Sequence, residues 1–141
     1  MKKLVSTLKL EKKEWLTYRK KGIGGSDAGA VCGLNPYRTA IQVYQDKISE
    51  EIEELDNEAM RQGREFEDYV AKRFMEATGK KVRRANAIFY HEKYPFMLAD
   101  VDRMVVGENA GLECKTASPY MADKWRMERF HCLIKSSAIT I

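Results

Sequence analysis

The chain has 141 residues, of which 44% are hydrophobic and 33% charged, a composition typical of a single soluble globular domain. Its formal net charge of +4 is compatible with a nucleic-acid partner without requiring one. No apolar run approaches the ~20 residues of a membrane span, the N-terminus lacks a signal-peptide core, and the three cysteines match no zinc or iron–sulfur spacing. A reduced, cytoplasmic protein that does not engage a membrane is therefore expected.

The N-terminal part of the chain predicts two short helices joined by glycines. The first helix spans Glu11 to Lys20 and stops before Gly22. In the segment GIGGSDAGAVCGLNPY, Ser26 is expected to cap a helix that ends at Cys32. A glycine-rich approach to a helix N-terminus suits a phosphate, and Arg19 lies seven residues before Ser26. The alternative, that Ser26 only caps a helix, stays open on these residues.

Two further helices follow, and the second, longer one carries an unusual acid. They are predicted from Thr39 to Ile48 and from about Asn57 to Thr78. Glu67 falls on the apolar stripe of the longer helix, so its carboxylate must be paired, hydrogen-bonded or bound to a metal. Pairing with Arg64 or Lys115 is the alternative to a metal. The stripe consists of Met60, Gly63, Phe66, Val70 and Phe74.

The second half of the chain predicts a small sheet of three or so strands. Strands are expected at Ala87–Tyr90 and Phe96–Ala99. A hairpin then follows, with strands Met104–Val106 and Leu112–Lys115, and with turn chemistry from Gly107, Asn109 and Gly111.

The hairpin carries a candidate site. Side chains alternate faces along a strand, so Glu113 and Lys115 point the same way, near an Asp102 contributed by the preceding strand. Two carboxylates and an amine in this arrangement would suit Mg²⁺, a hard cation with oxygen ligands. A surface hairpin with an ordinary cross-strand ion pair is the alternative that these residues leave open.

Four motifs in this order resemble the YqaJ-like viral recombinase family, whose best-known relatives are the lambda-type phage exonucleases of the PD-(D/E)xK nuclease superfamily. They are R-x6-S with GGSDAGAVCGLNPYRT, then QGREFEDYVAKRF, LADVDRMV and GLECKT, over roughly residues 14 to 124. Each motif is weak alone, but the four in sequence are specific. The resemblance implies an α/β fold of the α+β type, a restriction-endonuclease-like core with a small mixed sheet flanked by helices, and a single nuclease-like domain over residues 1–141.

The resemblance also implies an activity. It is Mg²⁺-dependent hydrolysis of double-stranded DNA from 5′ ends, with Mn²⁺ as an alternative ion, in phage-type recombination with a single-strand-annealing recombinase as partner. Arg19 and Ser26 match the residues that hold the 5′-phosphate. The expected setting is the cytoplasm of a bacterial host that carries the phage or prophage.

Five positions match the family's catalytic set. Asp102 and Glu113 match its metal-binding carboxylates, and the backbone carbonyl of Cys114 completes the ligands. Lys115 matches the lysine that positions the attacking water and helps to deprotonate it. Glu67 matches the helix acid that holds a metal-bound water or a second ion.

The chain departs from the family pattern at two places. Val101 stands where some relatives have proline, and Asp100 stands where a small hydroxyl residue occurs, which puts phosphate contact at Asp100 in doubt. After about Lys124 the resemblance fails, so residues 125–141 are expected to be an atypical tail, with the family's closing strand and helix missing. Two functions remain open: an active exonuclease, or a truncated, inactive prophage relative that at most binds DNA ends. An exposed sheet edge would also favour a homo-oligomer.

Overall fold

The computed structural model describes residues 1–52, 56–116 and 134–140, and within these it has four helices and seven strands. In chain order they are β1 (Lys2–Ser6), α1 (Lys12–Lys20), α2 (Gly25–Val31), α3 (Ala40–Ile48), α4 (Glu58–Thr78), β2 (Val82–Arg84), β3 (Ala87–Tyr90), β4 (Leu98–Ala99), β5 (Arg103–Val105), β6 (Ala110–Thr116) and β7 (Ile134–Thr140). No helix in these ranges is long and apolar enough to cross a membrane.

Contacts within the chain divide it into two compact units. Unit 1 comprises Met1–Leu55 and Asn86–Asp100, and unit 2 comprises Asp56–Ala85 and Val101–Ile141. The sheet of unit 1 has the strand order β1-β3-β4, and that of unit 2 has the order β2-β5-β6-β7. The α/β class is confirmed, but the strands form two antiparallel sheets where the sequence predicts one small mixed sheet. The single-domain expectation stays a prediction.

The sheet of unit 1 contains the predicted strands β3 and β4, and it is extended by β1, a strand that the sequence analysis missed. β1 is short and begins with two lysines, so its pattern is weak, yet it pairs along β3 with Val5 opposite the fully buried Ile88. Partner strands supplied from far along the chain override local propensity in this way. The core of unit 1 lies around a few small and branched residues: Ala30, Val43, Ala87 and Ile88.

The N-terminus of α2 differs from the sequence prediction. Gly24 is the N-cap residue, and the N–H of Gly24 donates to the Asp27 carboxylate over 3.1 Å. Ser26 is therefore the second residue of the helix and not its cap. Asp27 takes the capping role because it is buried, and because Lys47 Nζ, 2.8 Å from Oδ2, compensates its charge. Burial would raise the pKa of Asp27, but the hydrogen bonds from Lys47 and Gly24 hold that pKa below its ordinary value.

The long helix α4 has the predicted ends, since Asn57 caps it and Gly79 follows it with a φ of 70°. Its buried face differs from the predicted stripe, because Met60 and Phe66 are exposed by 48% and 51%. Met60 lies in the first turn, and Phe66 lies on the flank of the face that contacts β6. Glu67 remains on the inward side with 28% of its side chain exposed. The residues that do bury are Val70, Ala71 and Phe74.

The predicted hairpin is present as β5 and β6, with Gly107 in its turn at a φ of 81°. Gly111 lies within β6, opposite Met104, and not in the turn. β7 pairs antiparallel with β6, with Ala110 opposite Thr140 at one end and Thr116 opposite Ile134 at the other. This pairing corrects the expectation that the tail contributes no closing strand. The sequence also predicts one short helix, roughly from Tyr120 to Glu128, and this segment lies outside the described residues.

The glycine-rich segment between α1 and α2 forms backbone hydrogen bonds with the residues at the start of β4. The N–H of Ile23 donates to the carbonyl of Phe96 over 2.7 Å, and the N–H of Leu98 donates to the carbonyl of Ile23 over 2.8 Å. A Cβ on Gly22 would lie 2.3 Å from the Phe96 carbonyl oxygen, so only glycine permits this approach. The attachment fixes the backbone between α1 and α2.

Gly22→Ala is therefore expected to lower the free energy of unfolding by about 1–3 kcal/mol, because the clashing atom is a backbone oxygen that cannot move aside alone. Urea unfolding followed by circular dichroism measures this. Gly25→Ala is the matched control: a Cβ there meets nothing within 4 Å and alanine favours the helix, so it should be neutral or stabilising. Equal stability of Gly22→Ala and the wild type would contradict the prediction.

Candidate active site

The acidic end of the β5–β6 hairpin brings two of the predicted carboxylates together. Arg103 pairs with Leu112 across the hairpin, so Asp102 and Glu113 occupy the next position on each strand. Asp102 Oδ2 accepts a hydrogen bond of 2.5 Å from the N–H of Cys114, and the Asp102 carbonyl accepts one of 3.2 Å from the N–H of Ala85. The carboxylate of Asp102 is thus held by a backbone N–H of β6, and its backbone carbonyl by the N–H of Ala85.

The shared face predicted for Glu113 and Lys115 is confirmed. Lys115 Nζ lies 2.5 Å from Glu113 Oε1, with 57% of the lysine side chain and 24% of the glutamate side chain exposed. An exposed pair of this kind contributes little to stability, about 0–1 kcal/mol. The amine is therefore accessible and held close to the carboxylate pair.

Glu67 is held by an arginine that the sequence analysis did not single out. Nη1 of Arg103 donates to Glu67 and, over 2.9 Å, to the carbonyl of Asp102, while Nη2 donates to Asp68 over 2.6 Å. The alternative partners predicted for Glu67, Arg64 and Lys115, pair elsewhere: Arg64 with Asp56, and Lys115 with Glu113.

Arg103 could have been found from the alternation of its strand. Val101, Arg103 and Val105 occupy every second position, and all three are buried, with Arg103 only 4% exposed. An arginine in the buried register of a strand requires carboxylate partners. Glu67 on α4, which packs against β6, supplies one of them.

The carboxyls interact strongly enough to perturb the titration of Asp102. Burial raises the pKa of Asp102 to about 6, and the negative charges of Glu113 and Glu67 add to the rise, against the lowering effects of the Cys114 N–H and of Lys115. Burial, together with the charge of Asp102, also raises the pKa of the Cys114 thiol to about 12, so this thiol is a poor nucleophile. Glu67, Asp102 and Glu113 therefore make a region of surplus negative charge.

The oxygen donors of this region suit a hard divalent cation. Asp102 commits one oxygen to the Cys114 N–H, and a cation would offset both the burial and the negative charges of Glu113 and Glu67, which together raise the pKa of Asp102. Mg²⁺ binds through one or two carboxylates plus water and substrate phosphate, so Asp102 and Glu113 fit it. Within residues 1–52, 56–116 and 134–140, no three Asp, Glu, His or Cys side chains are grouped as a metal site. The contribution of Glu67 and of the Cys114 carbonyl to metal binding stays a prediction.

The two residues matched to 5′-phosphate binding are in contact in unit 1. Arg19 Nη2 donates to Ser26 Oγ over 2.8 Å, and both side chains are accessible from solvent. A guanidinium beside a hydroxyl is a combination that recognises phosphate oxygens. The role of the pair in phosphate binding stays a prediction.

The raised pKa of Asp102 predicts that this carboxylate destabilises the metal-free protein at neutral pH. The pKa of Asp102 is about 6 in the folded protein, against an ordinary value of 3.8, so the protonated carboxyl favours the folded state. This contribution to the free energy of unfolding is fully present below the ordinary pKa and is lost as the pH rises through 6. Asp102→Asn should therefore raise the free energy of unfolding at pH 7.5 by about 1–2 kcal/mol, after allowing for solvent screening. Urea unfolding in EDTA at pH 4.5 and 7.5 measures this. A variant less stable than the wild type at pH 7.5 would contradict it.

Comparison with known proteins identifies the family. Residues 14–136 match the YqaJ-like viral recombinase domain. The chain is also 47% identical over 126 residues to the "Uncharacterized protein YqaJ" of Bacillus subtilis (strain 168), an alignment that covers 89% of this chain and 40% of that protein. The chain thus spans about 40% of the length of that relative. With a match over most of its length, the chain belongs to the YqaJ-like viral recombinase family.

Proposed function

We propose that this protein is a Mg²⁺-dependent deoxyribonuclease that hydrolyses double-stranded DNA from 5′ ends. The observation that supports this best is the hairpin arrangement of Asp102, Glu113 and Lys115, in which Asp102 lies just before β5, Glu113 lies on the neighbouring β6, and the amine lies 2.5 Å from Glu113. Membership of a viral recombinase family supports a role in recombination at DNA ends.

In the proposed site, Asp102 and Glu113 would hold the divalent ion, and the carbonyl of Cys114, the residue between Glu113 and Lys115, would complete the protein ligands. The bound ion would offset the charge of the scissile phosphate and lower the pKa of a bound water. Lys115 orients the attacking water and relays its proton, taking up one proton as its ammonium releases another to solvent. Glu67, fixed by Arg103, contributes the third carboxylate by holding a water or a second ion.

The proposed substrate is a duplex end that carries a 5′-phosphate, held by Arg19 and Ser26. Their mutual hydrogen bond of 2.8 Å places a cationic fork and a hydroxyl at one point of unit 1. The partners we propose are double-stranded DNA ends inside a bacterial cell, a single-strand-annealing recombinase, and further copies of this chain. The recombinase would bind the single strand that resection exposes.

A nuclease assay tests the proposal directly. Linear duplex DNA, labelled at the 5′ or the 3′ end of one strand, is incubated with the protein in Mg²⁺, in Mn²⁺ and in EDTA. We expect release of the 5′ label first, only with a divalent ion, and no cutting of closed circular DNA. Asp102→Asn and Glu113→Gln should remove cleavage while leaving the duplex binding intact.

The alternative is a relative that binds DNA ends without cleaving them, which is open because the chain covers 40% of the curated relative. It would be favoured by tight binding to linear duplex with no product in either metal. Cleavage that persists unchanged in EDTA, or in the Asp102→Asn variant, would refute the metal mechanism.

A further inference from the structure

Asp100 contacts a tryptophan. In the family a small hydroxyl residue can occupy this position, and the acidic side chain makes a direct contact of Asp100 with a DNA phosphate doubtful from the sequence alone. Trp15 Nε1 donates a hydrogen bond of 2.7 Å to Asp100 Oδ2, joining α1 to the segment that follows β4, within unit 1. A charged acceptor makes such a hydrogen bond about twice as strong as one between neutral groups. The bond fixes both the position of the indole and the rotation of its plane.

The fixed indole supports the arginine matched to phosphate binding. The guanidinium carbon of Arg19 lies 4.6 Å from the centroid of the Trp15 ring, within the range of a cation–π contact. Trp15 and Arg19 are four residues apart on α1, so their side chains lie on the same helix face. The far end of the guanidinium then reaches Ser26.

The backbone of Arg19 is anchored as well. Lys47 Nζ donates to the Arg19 carbonyl over 3.1 Å and also contacts the buried Asp27 carboxylate over 2.8 Å. The helix end and the ring plane are therefore both fixed, and the long arginine side chain has less freedom to lose when it binds an anion.

We propose that Trp15, oriented by Asp100, is a positioning residue that pre-organises Arg19 for a terminal phosphate and so sets the preference for 5′-phosphorylated ends. The inference rests on the proposed function, because it needs Arg19 to contact the phosphate. In this arrangement Asp100 does not touch the DNA. Its carboxylate acts by accepting the hydrogen bond from the indole N–H, and the ring holds Arg19 beside Ser26.

The test measures binding and not cleavage. The dissociation constants of matched hairpin duplexes with a 5′-phosphate or a 5′-hydroxyl are measured by fluorescence anisotropy in EDTA, and the ratio of the two constants is the readout. Since both duplexes are measured on the same protein, partial loss of folded protein does not change the ratio. Wild type should prefer the phosphorylated end, and Arg19→Ala should remove that preference.

Variants of the supporting residues separate the two contacts. Trp15→Leu should reduce the preference about two- to fivefold, because the cation–π support is lost. Trp15→Phe keeps a ring but loses the N–H, so its reduction should be smaller. Asp100→Leu should reduce the preference like Trp15→Phe, and Asp100→Asn should restore it, because the amide oxygen still accepts the indole N–H.

A matched control comes from the same helix. Lys21 Nζ lies 4.5 Å from the Tyr18 ring, a cation–π contact that does not involve Arg19, so Tyr18→Leu should leave the preference unchanged. Combining Trp15→Leu with Arg19→Ala should give no further loss beyond Arg19→Ala alone, because Trp15 acts through Arg19.

The outcomes separate this inference from the function it rests on. A wild-type protein without preference for the phosphorylated end would refute phosphate binding by Arg19, and the positioning role with it. A preference that Arg19→Ala removes, but that Trp15→Leu and Asp100→Leu leave at the wild-type value, would refute the positioning role alone. An additive loss in the double variant would also overturn it.

Discussion

Lys115→Ala is expected to lower the rate of DNA cleavage by about 10²–10⁴-fold, because a positioned proton-transfer group contributes that much to the chemical step. Binding of duplex DNA should stay within about twofold, since the group acts on the transition state and not on substrate affinity. The variant should also fold normally, because the Lys115 side chain is 57% exposed and an ion pair such as that with Glu113 contributes little to stability near the surface. Single-turnover cleavage and equilibrium binding in EDTA measure the two effects separately.

Two further variants make the Lys115 prediction specific. Lys72→Ala removes one exposed positive charge from α4 in the same unit, where the side chain is 70% exposed, and should leave the cleavage rate unchanged. Lys115→Arg keeps the charge but not the compact ammonium, and should stay strongly impaired. If Lys115→Ala instead weakens binding and cleavage equally and reduces the salt slope of binding by about 0.9, Lys115 is a phosphate clamp.

The local arrangement at Asp102 could be predicted from the sequence because it depends on short-range geometry. Strand alternation placed Glu113 and Lys115 on one face, and turn residues around Gly107 defined the hairpin. The helix-stripe argument likewise located Glu67 on the inward side of α4, although it wrongly buried Met60 and Phe66. The side-chain periodicity of a single helix or strand therefore predicts which face a residue lies on, but not how far it is buried.

What escaped prediction depends on partners distant in sequence. β1 forms a strand because β3 pairs with it from more than eighty residues away. β7 forms a strand because it pairs along β6, which lies nearer in the sequence but outside the segment of β7 itself. Asp27 and not Ser26 supplies the side chain that caps α2, because Lys47, on another helix, compensates a buried carboxylate. Local propensity carries no information on such contacts, so the sequence alone could not choose between these alternatives.

Arg103→Met should lower the free energy of unfolding by about 2–4 kcal/mol at pH 7, because it leaves Glu67 on the inward face of α4 without its cation. The arginine side chain is 5% exposed and contacts Glu67, Asp68 and the Asp102 carbonyl. Methionine fills a similar volume, so the lost charge contributes more than lost packing. Glu67 retains 28% exposure, which keeps the expected loss below that of a fully buried pair.

The cause of the Arg103 effect can be isolated by a second substitution and a control. Arg103→Met combined with Glu67→Gln should recover much of the lost stability, because the uncompensated charge is then gone. Arg84→Met breaks only an exposed pair with Asp68, whose side chains are 60% and 68% exposed, so it should cost under about 1 kcal/mol. Urea unfolding at pH 7 of the wild type, Arg103→Met, the double variant and Arg84→Met measures these free energies of unfolding. If the double variant is no more stable than Arg103→Met, packing and not charge accounts for the loss, and Arg103 does not act by holding Glu67.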